Sequence, residues 1–142
     1  MVKNLQINNS GKLEFDKRII NSIVGYLKNE LEFTINDVSV NFISSVEITL
    51  LNVKYLKHNN STDIITFNYS GNNHNLDGEI FISVEDCRNN AVQFGVKFQE
   101  ELLRLIIHGF LHLLGYNDEN RSDKKKMFEL QEYLLNNCKF AL

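Results

Sequence analysis

The stretch FQEELLRLIIHGFLHLLG, residues 98–115, decides the fold. Its apolar residues Phe98, Leu102, Leu103, Leu105, Ile106, Ile107, Phe110, Leu111, Leu113 and Leu114 run almost all the way round a helix. A helix with so little to offer water belongs in the middle of a domain, with other elements packed about it. The pattern predicts this helix over about residues 95–114. Gly115 stops it, standing where a left-handed C-terminal cap is expected.

Working outward, DIITFNYS (63–70) and GEIFISV (78–84) are β-branched and aromatic runs on either side of an Asn/Gly/His loop. They predict two strands joined like a hairpin. A short, weakly helical piece is expected near 86–92. Upstream, DVSVNFI (37–43) alternates apolar and polar residues, as a half-buried strand does. Ser44 or Ser45 then caps a helix running to about Leu56. Phe15, Ile19, Ile20, Ile23 and Leu27 recur at helical spacing over about 15–31, and residues 2–8 read as a first strand. Downstream, Met127, Leu130 and Leu134 mark a last amphipathic helix over about 122–136. The expected fold is α+β: one domain spanning 1–142, a small mixed sheet with helices packed on it, the central helix buried.

Composition excludes several classes. Hydrophobic residues at 43% and charged residues at 23% are those of a packed globular protein, not a disordered one. No run reaches the ~18 consecutive apolar residues of a membrane span. The opening MVKNLQINNSGKLEF lacks the apolar core of a signal peptide, so a cytoplasmic protein without a membrane partner is expected. Cys87 and Cys138 are the only cysteines. They have no metal-binding spacing and read as free thiols in a reducing compartment. The net charge is −3, so any nucleic acid would have to be held by a local basic groove.

The chemistry sits at the end of the central helix. His108 and His112 are four apart, which puts both rings on one side, the arrangement needed to grip one metal ion from a rigid backbone. Two core histidines satisfied by hydrogen bonds would show the same spacing. The flanking residues separate these readings. Gly115 lies seven positions after His108 and Asp118 ten, the spacing of the metzincin zinc run HExxHxxGxxH with Asp as third ligand. Two imidazoles and a carboxylate form a known catalytic zinc set with a position left for water. Glu119 is a rival ligand one step out of register. The Glu that serves zinc peptidases as base is replaced by Gly109, which counts against a peptidase.

HGFLHLLGYND (108–118) resembles HGxLHLxGYDH, the signature of the YbeY family of bacterial rRNA-maturation endoribonucleases. LNVKYLKHNNSTDIITF (51–67) resembles the family's LNxxYRxxDxPTDVLSF, and GEIFIS (78–83) resembles GDIxIS. The resemblance covers about residues 38–132. It implies metal ligands at His108, His112 and Asp118, with Asp118 where the family usually has a third His. It also implies one divalent cation, zinc first, although two His and a carboxylate also suit Fe(II). The implied activity is metal-dependent endonucleolysis of single-stranded RNA in 16S rRNA 3′-end maturation. Its partners would be rRNA precursors and ribosomal particles, with no DNA expected and the oligomeric state open.

Within the same segments, Asp63 and Glu79 are candidate proton acceptors. Each is also an ordinary turn or hydrogen-bonding carboxylate at a strand start. The family's Arg in LNxxYR is Leu56 here, its Asp is Asn59 and its Pro is Ser61. Lys57 and His58 are therefore candidate substrate-binding residues, as is Lys124 beside Arg121, Lys125 and Lys126; Phe110 and Tyr116 could stack bases. The changes at Leu56 and Asn59 also suit a metal-containing RNA-binding assembly factor with little cleavage. A metal-dependent hydrolase of another substrate is the third reading.

Overall fold

The computed structural model describes residues 1–139. In chain order the elements are β1 (Leu5–Asn9), α1 (Lys17–Leu31), β2 (Thr34–Ile43), α2 (Ser45–Leu51), a π-helical turn (Asn52–Leu56), β3 (Ile64–Asn68), β4 (Asn75–Ser83), α3 (Val84–Phe94), α4 (Phe98–Leu113) and α5 (Arg121–Cys138). The sheet runs β1-β2-β4-β3. β1, β2 and β4 are mutually parallel, and β3 pairs antiparallel with β4 at the edge. The fold is α+β with a mixed sheet, as expected.

Strand alternation divides the sheet into two unlike faces. Val38, Val40 and Phe42 of β2 and Leu76, Ile80 and Ile82 of β4 are fully buried on one face. There they join Ile20, Ile23, Val24 and Leu27 of α1 and the apolar residues of α4 in the main core. The other face carries a small cluster at one end, where Ile43, Ile65, Phe67 and Phe81 pack under Ile48 and Leu51 of α2. The rest of that face is polar; Asn41 satisfies its buried amide on the Ile80 carbonyl and Ser39. α4 is the central helix that its composition demands: Leu102, Leu103, Ile106, Ile107, Phe110 and Leu111 are all fully buried. Phe110 stacks on Phe33 inside the core, which removes it as a base-stacking residue.

Strand ends differ from expectation by up to three residues, and three of the helices differ for local reasons. The weak piece near 86–92 is a full helix, α3, which adds caps at both ends to a short buried stripe of Val84, Cys87 and Ala91. Ser83 Oγ accepts from the Asp86 N–H, Glu85 and Asp86 occupy the first turn, and Gly95 closes the end at φ +66°. Because Gly95 ends α3, the central helix begins at Phe98 rather than near 95. The helix capped by Ser44 does reach Leu56, but its last turn widens to π geometry before Lys57 ends it at φ +59°.

Candidate metal centre

α4 rests its apolar sides on the sheet and on α5, and one polar line remains: Glu101, Arg104, His108 and His112, spaced three, four and four. The seat of this helix is Gly109. A Cβ there would lie 2.9 Å from Ile80 Cγ2 and 3.2 Å from Ile64 Cδ1. Position 109 therefore faces the sheet. A glutamate at this point would be driven into the core rather than toward the histidines, so the Gly is a packing requirement as well as a missing base.

The helix ends in a Schellman motif. The Tyr116 N–H donates to the Leu111 carbonyl and the Gly115 N–H to that of His112, each at 3.0 Å. Gly115 takes φ +98°, and a Cβ there would come within 2.6 Å of the Asn73 side chain. This turn throws the chain back over the helix end. It sets the Tyr116 carbonyl 3.2 Å from His112 Nδ1 and Asp118 Oδ2 3.8 Å from His112 Nε2. The ligand atoms of His108, His112 and Asp118 all lie within 4.8 Å of one another, the one such group among the described residues, and Glu119 is not in it.

The donor set suits a cation. His108 Nδ1 lies 2.7 Å from Gln131 Oε1, and His112 Nδ1 faces a backbone carbonyl that can only accept. Both rings therefore carry their proton on Nδ1. The two Nε2 lone pairs then face each other at 3.0 Å, beside a carboxylate. Facing lone pairs repel; a divalent ion between them and Asp118 resolves the arrangement, and the Nε2 spacing is close to what two Zn–N bonds of ~2.0–2.1 Å span. Burial, and then the neighbouring His108, hold the His112 imidazole below its ordinary pKa against the opposing pull of Asp118. That keeps it in the neutral, ligating form.

The other sequence candidates separate by face. Asp63 lines a small cavity of about 160 Å³ together with Ile64, Glu101, Arg104, His108 and Gln131. Its carboxylate accepts from Asn90 Nδ2 at 2.9 Å. Glu79 sits on β4 between Gly78 and Ile80, which face α4, so it points to the opposite face and accepts from the Tyr69 hydroxyl. Leu56 and His58 line a groove of about 320 Å³ that shares Ile64 with the cavity beside His108. Lys57 and Lys124 are exposed and line neither. Ser61, where the resembled family has Pro, donates to Asp86 at 2.6 Å. Tyr116 is 42% exposed and open to a stacking partner. Cys87 and Cys138 are buried free thiols, and burial pushes both thiols up, Cys87 to about 12.

Glu101, Arg104 and Gln131 also line this side of α4. The first two stand in line with the histidines, a spacing visible in the sequence. Gln131 carries no such signal, because it meets His108 only through the docking of α5.

Comparison with known proteins agrees with this geometry. The family model for endoribonuclease YbeY matches residues 2–139. The endoribonuclease YbeY of Amoebophilus asiaticus is 43% identical over 103 residues, 70% of each chain. That of Chlorobium limicola is 34% identical over 132 residues, covering 93% of this chain and 91% of its own. The solution structure of TM1509 from Thermotoga maritima superposes with a TM-score of 0.65 at 31% identity, covering 94% of this chain and 88% of that one. With the histidine pair, the returning loop and the matched length all in agreement, this chain belongs to the endoribonuclease YbeY family.

Proposed function

We propose that this chain, acting as one domain, is a metal-dependent endoribonuclease that hydrolyses single-stranded RNA. We place it in the cytoplasm, in 16S rRNA 3′-end maturation and ribosome assembly. The observation that carries the proposal is the two Nε2 atoms 3.0 Å apart beside Asp118. His108, His112 and Asp118 would hold one divalent ion, zinc first and Fe(II) second. When bound, such an ion supplies Lewis acidity at a phosphoryl oxygen and acidifies water. The chain's own part is positional. Asp63, which accepts from Asn90 and lines the same small cavity as His108, is our candidate to take a proton from the attacking group. The groove at Leu56 and His58, which adjoins that cavity, is the path for an RNA strand, with Lys57, Lys124 and Tyr116 as outer contacts.

A specific observation keeps a second reading open: the groove is lined by Leu56 where the family motif has Arg, so one charge that would hold phosphate is gone. On that reading the protein binds RNA or ribosomal particles and cleaves little. The deciding experiment gives purified protein of defined metal content an RNA carrying the 16S 3′ region. Cleavage that disappears in both His112→Ala and chelator-treated protein is expected. Equal cleavage by His112→Ala and wild type would sink the proposal. Tight binding without cleavage, with cleavage gained in Leu56→Arg, would establish the second reading.

A further inference from the structure

Gln131 lies on α5, 6% exposed, and its Oε1 meets His108 Nδ1 at 2.7 Å. Its amide is not free to turn. Nε2 donates to Glu132 Oε2 at 3.2 Å, and Arg104 holds the Glu132 carboxylate with two hydrogen bonds of 3.0 Å. Arg104 is tied in turn to Glu101, which is buried and pairs with it at 2.8 Å. Turning the Gln131 amide over would set its carbonyl against the Glu132 carboxylate, acceptor against acceptor. The oxygen must therefore face His108, His108 Nδ1 must carry the proton, and the free lone pair must sit on Nε2.

We propose that Gln131 is a positioning residue of the metal centre: it fixes the tautomer and ring orientation of His108, and Glu132 and Arg104 fix Gln131. The inference rests on the metal-site reading above. It makes the docking of α5 on α4 a determinant of metal affinity, although α5 supplies no ligand. His112 needs no such partner, because the Tyr116 backbone carbonyl does the same for it. Groups that accept from the distal N–H of a ligating His set its orientation and basicity, and losing one costs about 10–100-fold in affinity.

The test measures zinc affinity of the full chain by competition with a chromophoric chelator, for wild type, Gln131→Leu, Gln131→Glu and His112→Ala. Nitrogen-15 spectra of the metal-free wild type and variants report the His108 tautomer. The expected result is a loss of about 10–100-fold in Gln131→Leu. Gln131→Glu keeps the acceptor for His108 but sets a second carboxylate beside that of Glu132, so it should bind zinc more tightly than Gln131→Leu and keep His108 protonated on Nδ1. Wild-type His108 should be protonated on Nδ1, with a mixture of tautomers in Gln131→Leu. Gln131→Leu within twofold of wild type while His112→Ala loses zinc would overturn this inference alone. If His112→Ala also binds as wild type does, the metal reading fails and takes the inference with it. Should Gln131→Leu not fold, Gln131→Glu and the wild-type tautomer still decide: a proton on His108 Nε2 refutes the proposal.

Discussion

α4 delivers His108 and His112 from a helix whose neighbouring residues Ile107, Phe110 and Leu111 are fully buried. Asp118 arrives instead on residues 114–120, a return loop, with its side chain 47% exposed. The helical half of the centre owes its geometry to the main core. Its two rings are oriented by Gln131 Oε1 and the Tyr116 carbonyl at their Nδ1 atoms. The loop half is held by one Schellman turn and one left-handed glycine. The difference predicts where the centre is brittle: the helical half tolerates little, while the loop half accepts changes of chemistry.

The largest effect should come from breaking the helical half. Zinc sites with four protein ligands are bound by about 10–16 kcal/mol, so one ligand carries roughly 3 kcal/mol, about 100-fold. His112→Ala is expected to lose at least about that factor in zinc affinity, together with all RNA cleavage. Elemental analysis and single-turnover cleavage read both. Asp118→Ala should lose less, about 10–100-fold, because the two rings still converge without it. Asp118→His should keep one metal per chain while moving selectivity away from Fe(II). If Asp118→Ala proves as damaging as His112→Ala, the contrast between the halves is wrong.

Gly115→Ala tests the loop without touching a ligand. An L side chain at φ +98° is strained and meets Asn73, so a loss of about 1–2 kcal/mol in unfolding free energy is expected by denaturant titration. Zinc affinity should fall as well, since the turn places both Asp118 and the Tyr116 carbonyl. An unchanged affinity at reduced stability would show that the loop reorders around the ion regardless of the turn.

The two halves were also unequally legible. α4, its glycine stop and the strands on either side of the 69–74 loop follow from local patterning, because apolar periodicity and a single cap residue specify them. Asp118 is expected from its interval after His108, that of the metzincin run, although the interval alone leaves Glu119 as a rival. Other features depend on partners distant in sequence. Gln131 lies 23 residues from His108, and Glu132 lies 28 from Arg104, and only the docking of α5 joins them. Gly109 read as a missing base; its second meaning, a seat on Ile80 and Ile64, required knowing which face of α4 meets the sheet. That Glu79 lies on the face away from α4 depends on the same knowledge, because alternation alone says that Glu79 and Ile80 oppose each other but not which side bears the helix. α3 is weakly legible because its apolar stripe is only Val84, Cys87 and Ala91, and its ends are set by the Ser83 and Gly95 caps.

The smallest predicted effect concerns how the loop half acts on the helical half before metal binds. Burial, and then His108, hold the His112 pKa below its ordinary value of 6.5, while Asp118 and the Tyr116 carbonyl pull it up. A group whose pKa is depressed by folding takes up protons more readily in the unfolded chain. Its stabilising contribution is therefore present above about 6.5 and is lost as pH falls through the folded value. Chelator-treated protein should accordingly melt at lower temperature at pH 5.5 than at pH 7.5, and His112→Asn should flatten that dependence. Asp118→Asn removes the carboxylate that opposes the depression, so its melting temperature should fall more steeply with acid than that of wild type. Equal slopes for Asp118→Asn and wild type would mean that the carboxylate, 3.8 Å away, has no hold on His112 until an ion joins them.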